Sequence, residues 1–365
     1  MAEPAIPALP PGSTIGILGG GQLGRMLALA AARLGLECHI YAPEADSCAF
    51  DVVRHATLAE YDDEPALERF ARACDVITYE FENVPAATAN FLARRKPVRP
   101  DPQVLALTQD RLVEKDFIAA LSIATAPYAA VDSGGNIAEA VAKIGLPAVL
   151  KTRRLGYDGK GQRMIGRDDD PAEAFRSLGS VPCILEGFVP FEREISVVAA
   201  RSSQGEVVAF DVTENEHRHH ILKISRAPAR ISDVMAEEAQ HMAETIASAF
   251  GYVGVLAVEM FALANGAGRR VLVNEIAPRV HNSGHWTIDG ASVSQFEQHI
   301  RAVAGWPLGH PVRHGRVEMT NLIGAEVNDY PRWLTEPGTS VHLYGKGEPR
   351  PGRKMGHVTR VFGEG

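Results

Sequence analysis

The first hundred residues alternate between short apolar runs and longer amphipathic segments. Short apolar runs bounded by glycine or polar residues predict buried strands, and apolar positions that recur every three or four residues predict helices. On this basis we predict three strands and one helix, at Thr14–Leu18, Glu37–Tyr41, Asp75–Tyr79 and residues 22–34. Strands joined by helices favour a parallel sheet, so we expect an α/β unit at the N-terminus.

Two apolar runs in the second half of the chain predict a β-hairpin. The runs flank Asn265–Gly268, a cluster of residues that favour turns. A turn centred within this cluster makes Phe261 face Val273. The same register makes Glu259 face Glu275, and facing residues share one side of the sheet with Cβ atoms about 4.5–5.5 Å apart.

The two facing glutamates would repel each other, and burying both as ions costs several kcal/mol unless a cation compensates their charge. Carboxylate oxygens are ligands that Mg²⁺ prefers, often together with phosphate oxygens. Glu259 and Glu275 are therefore candidate metal ligands. The alternative is that each pairs with a nearby arginine, such as Arg269, Arg270 or Arg279.

Changes in pattern divide the rest of the chain. Prolines in residues 1–13 indicate a loose leader, those in 97–102 mark a boundary, and 125–190 have the pattern of a small α+β unit. Further helices and strands are predicted at residues 110–120 and 232–250, and at Ala148–Lys151, Cys183–Leu185 and Ile195–Ala200.

Composition is that of an ordinary globular protein, with 365 residues, 45% of them hydrophobic and 22% charged. The net charge of −8 argues against general binding to nucleic acid. No apolar run of about 18 residues predicts a membrane span. The four cysteines are scattered without a C-x-x-C pair, so we expect reduced thiols and a cytoplasmic location.

Gly19, Gly21 and Gly24 form a G-x-G-x-x-G motif between the first strand and the first helix. Backbone N–H groups at a helix N-terminus bind anions, and glycine lets a phosphate approach closely. A dinucleotide site also needs an acid at the end of the second strand, where Tyr41 stands, with Glu44 beyond it. NAD binding, another phosphate and plain helix–strand packing all stay open at this point.

Other segments carry chemistry that suits a phosphorylated ligand. Residues 153–162 mix glycines with lysine and arginine and could wrap phosphate oxygens or form a plain hairpin turn. Glu80 follows a predicted strand, at the sheet edge where α/β proteins bind ligands. A basic cluster near the C-terminus suits a phosphate-bearing substrate, or serves solubility; it comprises Lys346, Arg350, Arg353, Lys354 and Arg360.

Polar residues also cluster at 214–220 and 279–286. In the first cluster, His217 and His219 would share one face of a strand while His220 faces away, so a polar strand in a cleft is favoured over a metal site. The second cluster follows directly after Glu275, and we expect it to contact ligand.

Together these segments resemble the 5-(carboxyamino)imidazole ribonucleotide synthases, ATP-grasp enzymes of purine biosynthesis. NEIAPRVHNSGHWT and GYDGKGQ are the most specific of the matches. In family order the matching segments are GGGQLGRM (19–26), YEFENV (79–84), DR (110–111), GYDGKGQ (156–162), EGFV (186–189), NEIAPRVHNSGHWT (274–287) and RPGRKMGH (350–357).

The resemblance implies an α/β and α+β protein with the ATP-grasp fold. An N-terminal Rossmann-like (pre-ATP-grasp) domain and a small C-terminal β-rich domain would flank the central ATP-grasp domain. The expected limits are a flexible leader at 1–13, an N-terminal domain at 14–100, a central domain at 101–305 with a lid at about 125–190, and a C-terminal domain at 306–365.

The resemblance also assigns residues to ligands, with Glu186 and Val189 at the adenine and Glu259 and Glu275 at Mg²⁺. The ATP contacts would be Arg111, Lys151, Gly156, Tyr157, Asp158, Gly159, Lys160, Gly161, Gln162, Glu186, Gly187, Phe188, Val189, Glu194, His217, Asn274 and Glu275. The ribonucleotide contacts would be Glu80, Tyr157, Asp158, Lys346 and Arg353, and the catalytic residues Lys151, Asp158, Arg279 and Asn282.

The implied reaction is the ATP-dependent carboxylation of aminoimidazole ribonucleotide. Bicarbonate attacks the γ-phosphate to give carboxyphosphate and ADP, while Mg²⁺ and Lys151 offset the charge. The amine then takes up the carboxyl group, with Arg279 and Asn282 at bicarbonate or carboxyphosphate and a closed lid that excludes water. A homodimer without nucleic-acid or membrane partners is expected.

Three other functions stay open. A formyl-phosphate-forming ribonucleotide transformylase would share the ATP chemistry but lacks the NSGHW loop. A NAD-dependent oxidoreductase would depend on residues 19–24 alone, and a nucleotide sensor would bind ATP without turnover. Three measurements distinguish these functions. They are ADP release with formate in place of bicarbonate, protection against thermal unfolding by NADH, and ADP formation that depends on the aminoimidazole substrate.

Overall fold

The computed structural model describes residues 7–156, 159–264 and 270–363. Tyr157 and Asp158, which the resemblance assigns to ATP and the ribonucleotide, lie outside these residues, as do Arg269 and Asn265–Gly268, where the sequence predicts a turn. The described chain forms one parallel and two antiparallel sheets. None of its helices combines the length and apolar character that crossing a membrane requires.

The first sheet is parallel, as the alternation of strands and helices predicts. Strands β1 to β4 are Thr14–Leu18, Glu37–Ala42, His55–Leu58 and Val76–Tyr79, and helices α1 to α3 are Gln22–Arg33, Glu64–Arg72 and Ala86–Ala93. The order β3-β2-β1-β4 makes β1 and β4 neighbours. Gly19 and Glu80, which follow these two strands, therefore meet at one edge of the sheet.

The second sheet belongs to the small α+β unit, and its apolar side chains pack into a core of their own. Helices α4 and α5, Pro102–Thr108 and Arg111–Ala120, precede it. Strands β5 to β8 are Tyr128–Val131, Ala148–Thr152, Gln162–Ile165 and Cys183–Gly187, and helices α6 and α7 are Ile137–Ile144 and Pro171–Ser177. The order is β5-β8-β6-β7, so the glycine loop joins two neighbouring strands, β6 and β7.

The third sheet is large and antiparallel. Strands β9 to β17 are Phe191–Arg201, Val207–Ala209, Thr213–Arg218, Ile221–Ala227, Gly254–Leu263, Val271–Ala277, Arg316–Ile323, Thr339–Leu343 and Lys354–Phe362, and helices α8 to α11 are Asp233–Ala249, Thr287–Gly290, Gln295–Val303 and Tyr330–Trp333. The order is β14-β13-β9-β11-β12-β15-β17-β16, with β10 beside β9. Because β12 pairs with β15, the last three strands continue the same sheet.

The hairpin of β13 and β14 confirms that Glu259 and Glu275 face each other. Beyond that pair a β-bulge shifts the register, so Phe261 pairs with Leu272, one position from the prediction. Asn274 is the extra residue of the bulge. A bulge bends its strand and re-aims side chains. Here Asn274 and Glu275 both contact basic side chains.

The polar strand predicted through residues 214–220 ends early. Strand β11 stops at Arg218, and His219 and His220 have φ of 51° and 63° in the turn to β12. The prediction that His217 and His219 share a strand face is therefore wrong, because turn residues do not alternate between two faces. Only His217 of the three belongs to the strand.

Candidate active site

A cleft of about 650 Å³ is lined by residues from the N-terminal sheet, the lid and the large sheet. Metal, ATP and ribonucleotide candidates from distant parts of the sequence therefore meet in one place. The sequence-predicted residues that line it are Glu80, Arg111, Gly156, Glu259, Glu275, Arg279, Asn282, Lys346 and Arg353.

The facing glutamates have different basic partners. His281 Nε2 lies 2.9 Å from Glu259 Oε1, and Arg111 Nη1 contacts Glu275 Oε2. Burial opposes the ionisation of Glu275, but Arg111 and Lys151 outweigh it and hold its pKa well below the usual range. Burial is likewise outweighed at Glu259, where the contact with His281 Nε2 lowers the pKa. Both carboxylates are therefore ionised at neutral pH.

Glu186 lies between two lysines. Lys151 Nζ is 2.8 Å from Oε2, and Lys115 Nζ is 3.7 Å from Oε1. Burial raises the pKa of Glu186, but the two lysines more than offset this effect and lower it overall. Its Oε1 is buried and accepts no hydrogen bond from the described residues. Lys151 Nζ also lies 3.5 Å from Asn274 Oδ1, which connects the lid to the bulge of β14.

Helix α5 contributes two charged residues that the sequence analysis missed. Glu114 is 3% exposed and Lys115 is 1% exposed, and Glu114 lines the cleft. Burial and then the negative charge of Glu275 raise the pKa of Glu114. Residues three and four positions after Arg111 share its helix face. This spacing from Arg111 is the sequence signal that indicates Glu114 and Lys115 as site residues.

The G-x-G-x-x-G motif between β1 and α1 binds a carboxylate of the protein itself. Glu80 Oε1 accepts a hydrogen bond from Gly21 N at 2.8 Å, and Oε2 accepts one from Gly24 N at 3.3 Å. A Cβ at Gly19 would lie 2.6 Å from Glu80 Oε1, so this approach requires glycine. Burial raises the pKa of Glu80. The N-terminus of α1 thus already faces a carboxylate, which disfavours a dinucleotide pyrophosphate there.

Arg279 and Asn282 line the cleft and are both held by neighbours. Arg279 Nε contacts Glu82 Oε2, so Arg279 is not the partner of the facing glutamates. Asn282 Nδ2 donates to Asn321 Oδ1 at 3.0 Å, and Asn321 Nδ2 donates to Asn282 Oδ1 at 2.7 Å. Since an amide carries two N–H groups, this exchange leaves Asn282 one further donor.

The C-terminal basic cluster divides into two parts. Lys346, Arg353 and Lys354 line the cleft, whereas Arg350 is not among the lining residues and Arg360 pairs with Glu318. Burial lowers the pKa of Lys346. These three cationic side chains lie close enough for their charges to interact with one another and with Glu80, and together they suit a phosphate group.

The remaining ATP candidates lie on the lid and on β9 and β11. Glu194 Oε2 contacts His217 Nδ1 between these two strands. Gly159 and Gly161 have φ of +78° and +70°, a backbone conformation that favours glycine. The candidates of the loop between β6 and β7 are Gly156, Gly159, Lys160 and Gly161, Gln162 begins β7, and those that follow Glu186 are Gly187, Phe188 and Val189.

The carboxylate oxygens of the site suit a hard cation whose remaining ligands are phosphate oxygens and water. The described part of the chain has no group of three or more His, Cys, Asp or Glu side chains arranged to hold a metal. Two ionised glutamates face each other, however, in a cleft with room for a nucleotide. Mg²⁺ commonly binds through one or two carboxylates plus phosphate oxygens and water.

Three family models match successive parts of the chain. A ribonucleotide synthetase preATP-grasp domain matches residues 13–109, an ATP-grasp domain matches 116–296, and a phosphoribosylaminoimidazole carboxylase C-terminal domain matches 318–364. These matches confirm the predicted ATP-grasp fold with an additional domain on each side.

Known proteins resemble the chain over almost its whole length. The N5-carboxyaminoimidazole ribonucleotide synthase of Brucella melitensis is 52% identical over 97% of this chain and 98% of that protein. An ADP complex of an N5-carboxyaminoimidazole ribonucleotide synthetase has a TM-score of 0.94 and 41% identity, covering 98% of this chain and 95% of that one. The Aspergillus clavatus synthase in complex with ADP and 5-aminoimidazole ribonucleotide has a TM-score of 0.89 and 30% identity, covering 96% and 94%.

Proposed function

The chain belongs to the N5-carboxyaminoimidazole ribonucleotide synthase family of ATP-grasp ligases, and from this membership we propose how its residues act. It carboxylates aminoimidazole ribonucleotide in purine biosynthesis with ATP, forming a C–N bond and ADP. The observation that carries the residue assignment is the pair Glu259 and Glu275, ionised and face to face in the cleft.

Mg²⁺ would be held by Glu259 and Glu275 and by phosphate oxygens of ATP. The ion would offset negative charge where the bond to the γ-phosphate breaks. Arg111 and His281 hold the two carboxylates in place, so the protein meets the ion with its ligands already oriented.

The base of ATP would lie near Glu186, whose buried Oε1 can accept a hydrogen bond from a ligand. Lys151 contacts both Glu186 and Asn274, and it thus lies between the lid strand at the proposed base site and β14, which carries Glu275. An ammonium group there stabilises phosphate charge without moving during the reaction. Tyr157 and Asp158 stay predictions of the resemblance.

Bicarbonate is proposed as the carboxyl source. Arg279 and the remaining N–H of Asn282 would orient its oxygens for attack on the γ-phosphorus, which releases ADP and forms carboxyphosphate. The amine of the ribonucleotide then attacks the carboxyl carbon, loses a proton and displaces phosphate. The lid would exclude water during both steps.

The ribonucleotide phosphate would bind Lys346 and Arg353 at the far end of the cleft, beside Glu80. The homodimer and the cytoplasmic location stay predictions, which sedimentation velocity and cell fractionation test.

Substitution of Glu275 tests the proposal. In Glu275→Gln we expect ADP release that depends on ribonucleotide and bicarbonate to fall at least about 100-fold, because a neutral amide cannot compensate the cation. Protection against thermal unfolding by ADP without Mg²⁺ should persist. Glu173→Gln, on an exposed lid position, is the matched control.

Unchanged turnover of Glu275→Gln would contradict the metal assignment. Turnover with formate but not with bicarbonate would instead favour the transformylase. Thermal protection by NADH in the absence of ATP would favour an oxidoreductase.

A further inference from the structure

A line of buried polar side chains crosses the large sheet beside the active site. Ser225 Oγ donates a hydrogen bond to Asn215 Oδ1 at 2.8 Å, and Asn215 Nδ2 donates to Ser196 Oγ at 2.9 Å. Ser196 Oγ in turn donates to Ser283 Oγ at 2.8 Å. The register supports this line, since Asn215 pairs directly with Ser225, and Ser196 pairs directly with Glu259.

His281 joins this line to the active site. Its Nδ1 lies 2.9 Å from Ser283 Oγ and 3.4 Å from Ser283 N. Its Nε2 lies 2.9 Å from Glu259 Oε1. The imidazole therefore stands between a buried hydroxyl and a carboxylate of the facing pair.

The direction of the bonds determines the tautomer of His281. A backbone N–H can only donate, so Ser283 N makes Nδ1 an acceptor. The Ser283 hydroxyl accepts from Ser196 and has its proton left for Nδ1. A neutral imidazole whose Nδ1 accepts carries its proton on Nε2, where the ionised Glu259 requires a donor. The reverse direction would turn a lone pair of Nε2 against the carboxylate.

We propose that His281 is a positioning residue for Glu259, held in its Nε2–H tautomer by the line from Ser225 to Ser283. Ser196, Ser225 and Ser283 are fully buried, and buried hydroxyls are costly unless they are hydrogen-bonded. Each hydrogen bond of the line is donated in the direction of His281. A histidine that orients a metal-binding carboxylate affects ion affinity without touching the ion.

This inference depends on the proposed Mg²⁺ role of Glu259. It assigns a function to residues outside the ATP and ribonucleotide contacts, three of them on β9, β11 and β12. It also gives a reason for the polar loop that follows β14. In this loop Ser283 is fixed by the buried side chains of the sheet, and His281, which contacts Ser283, orients the carboxylate of Glu259.

The first test reads the tautomer directly. Imidazole ¹⁵N shifts of the full-length protein, with His281 identified by its loss in His281→Asn, should show a bare Nδ1 and a protonated Nε2. Ser283→Ala removes the hydroxyl donor but keeps the backbone N–H of residue 283, so the Nε2–H tautomer should stay the major form with a smaller share. The opposite tautomer in the unsubstituted protein overturns the proposal.

The second test measures the Mg²⁺ concentration that half-saturates the extra thermal protection given by Mg²⁺ over ADP alone. The expected rise is about 10–100-fold in Ser283→Ala and His281→Asn, as for other residues that orient metal ligands. His281→Gln should recover part of the affinity, because its amide N–H reaches the place of Nε2. Thr78→Val removes a buried hydroxyl–imidazole bond of the same kind, to His299, and should leave the half-saturating concentration unchanged.

The outcomes separate this inference from the proposed function. If Glu259→Gln keeps the Mg²⁺-dependent protection, the metal site itself is wrong. If Glu259→Gln loses it while Ser283→Ala and His281→Asn stay within twofold of the unsubstituted protein, the metal site stands and the positioning role is overturned.

Discussion

Arg153 binds Asp110 through two parallel hydrogen bonds, Nε to Oδ1 at 2.9 Å and Nη2 to Oδ2 at 2.8 Å. Asp110 also caps α5, accepting from Leu112 N at 3.1 Å, and Arg111 N donates to Arg153 O at 2.9 Å. These bonds join the end of β6, where the lid loop of residues 153–162 begins, to the N-terminus of α5. Arg111 lies at this N-terminus and contacts Glu275.

Arg153→Lys should raise KM for ATP about tenfold, because lysine cannot make the planar two-point contact and a hydrogen bond to a charged group contributes about 1.5–3 kcal/mol. Steady-state kinetics with varied ATP measure the effect. Asp132→Asn removes only the more exposed partner of Arg153, 3.3 Å away, and should leave KM unchanged. Equal KM values for Arg153→Lys and the unsubstituted protein would contradict this link between lid and helix.

Lys115→Met should lower the free energy of unfolding measurably, but by less than the cost of about 3–5 kcal/mol for leaving a buried ion without any partner. The substitution leaves Glu186 buried with Lys151 as its remaining close lysine. Urea denaturation at pH 7 measures the change. Lys143→Met, on an exposed position of α6, is the control, and a similar small effect of both substitutions would show that Lys115 does not stabilise Glu186.

Glu80→Ala should destabilise the protein by about 1–3 kcal/mol for each backbone N–H left buried without a partner. Its carboxylate binds Gly21 N, which is partly buried, and Gly24 N, which is buried, so the loss applies above all to Gly24 N. Glu80→Gln keeps one acceptor oxygen and should lose less. Urea denaturation compares both with Glu44→Ala, an exposed acid of the same cleft. Unchanged stability of Glu80→Ala would restrict Glu80 to ligand binding.

The sequence pattern predicted the parallel sheet, the limits of α5 and α8, and the facing glutamates, because each follows from the order of the elements or from the residues of a single helix or hairpin. The strict alternation of a strand and the position of a turn determine which residues face each other. The prediction failed one residue nearer the turn, at Asn274. A bulge depends on how the whole sheet twists, which local alternation does not record.

The partners of the site residues were less predictable. Asn282 meets Asn321, and Arg279 meets Glu82, across long stretches of chain. Such pairs follow from the packing of one domain on another. Composition and spacing cannot predict such distant partners, and they favour arginines that lie nearer in the chain, such as Arg270 for Glu275.

His299 links the N-terminal sheet to the large sheet. Its Nδ1 accepts from Val255 N at 3.0 Å, so the proton is on Nε2, which donates to Thr78 Oγ1 at 2.8 Å. Complete burial lowers the pKa of His299 to about 3. The imidazole is therefore neutral in the folded protein at every pH at which the protein is normally handled.

Below its ordinary pKa of about 6.5, His299 takes up a proton in the unfolded chain but not in the folded one. The unfolded state then binds more protons, so His299 contributes stability above pH 6.5 that decreases as the pH falls toward 3, by up to about 1.4 kcal/mol per pH unit. His299→Gln can keep both hydrogen bonds without titrating. Urea denaturation between pH 7 and pH 4.5 should therefore show a steeper loss of stability for the unsubstituted protein than for His299→Gln, whereas the other buried histidines affect both equally. Parallel pH dependences would contradict the assignment of a neutral, hydrogen-bonded His299 at this domain contact.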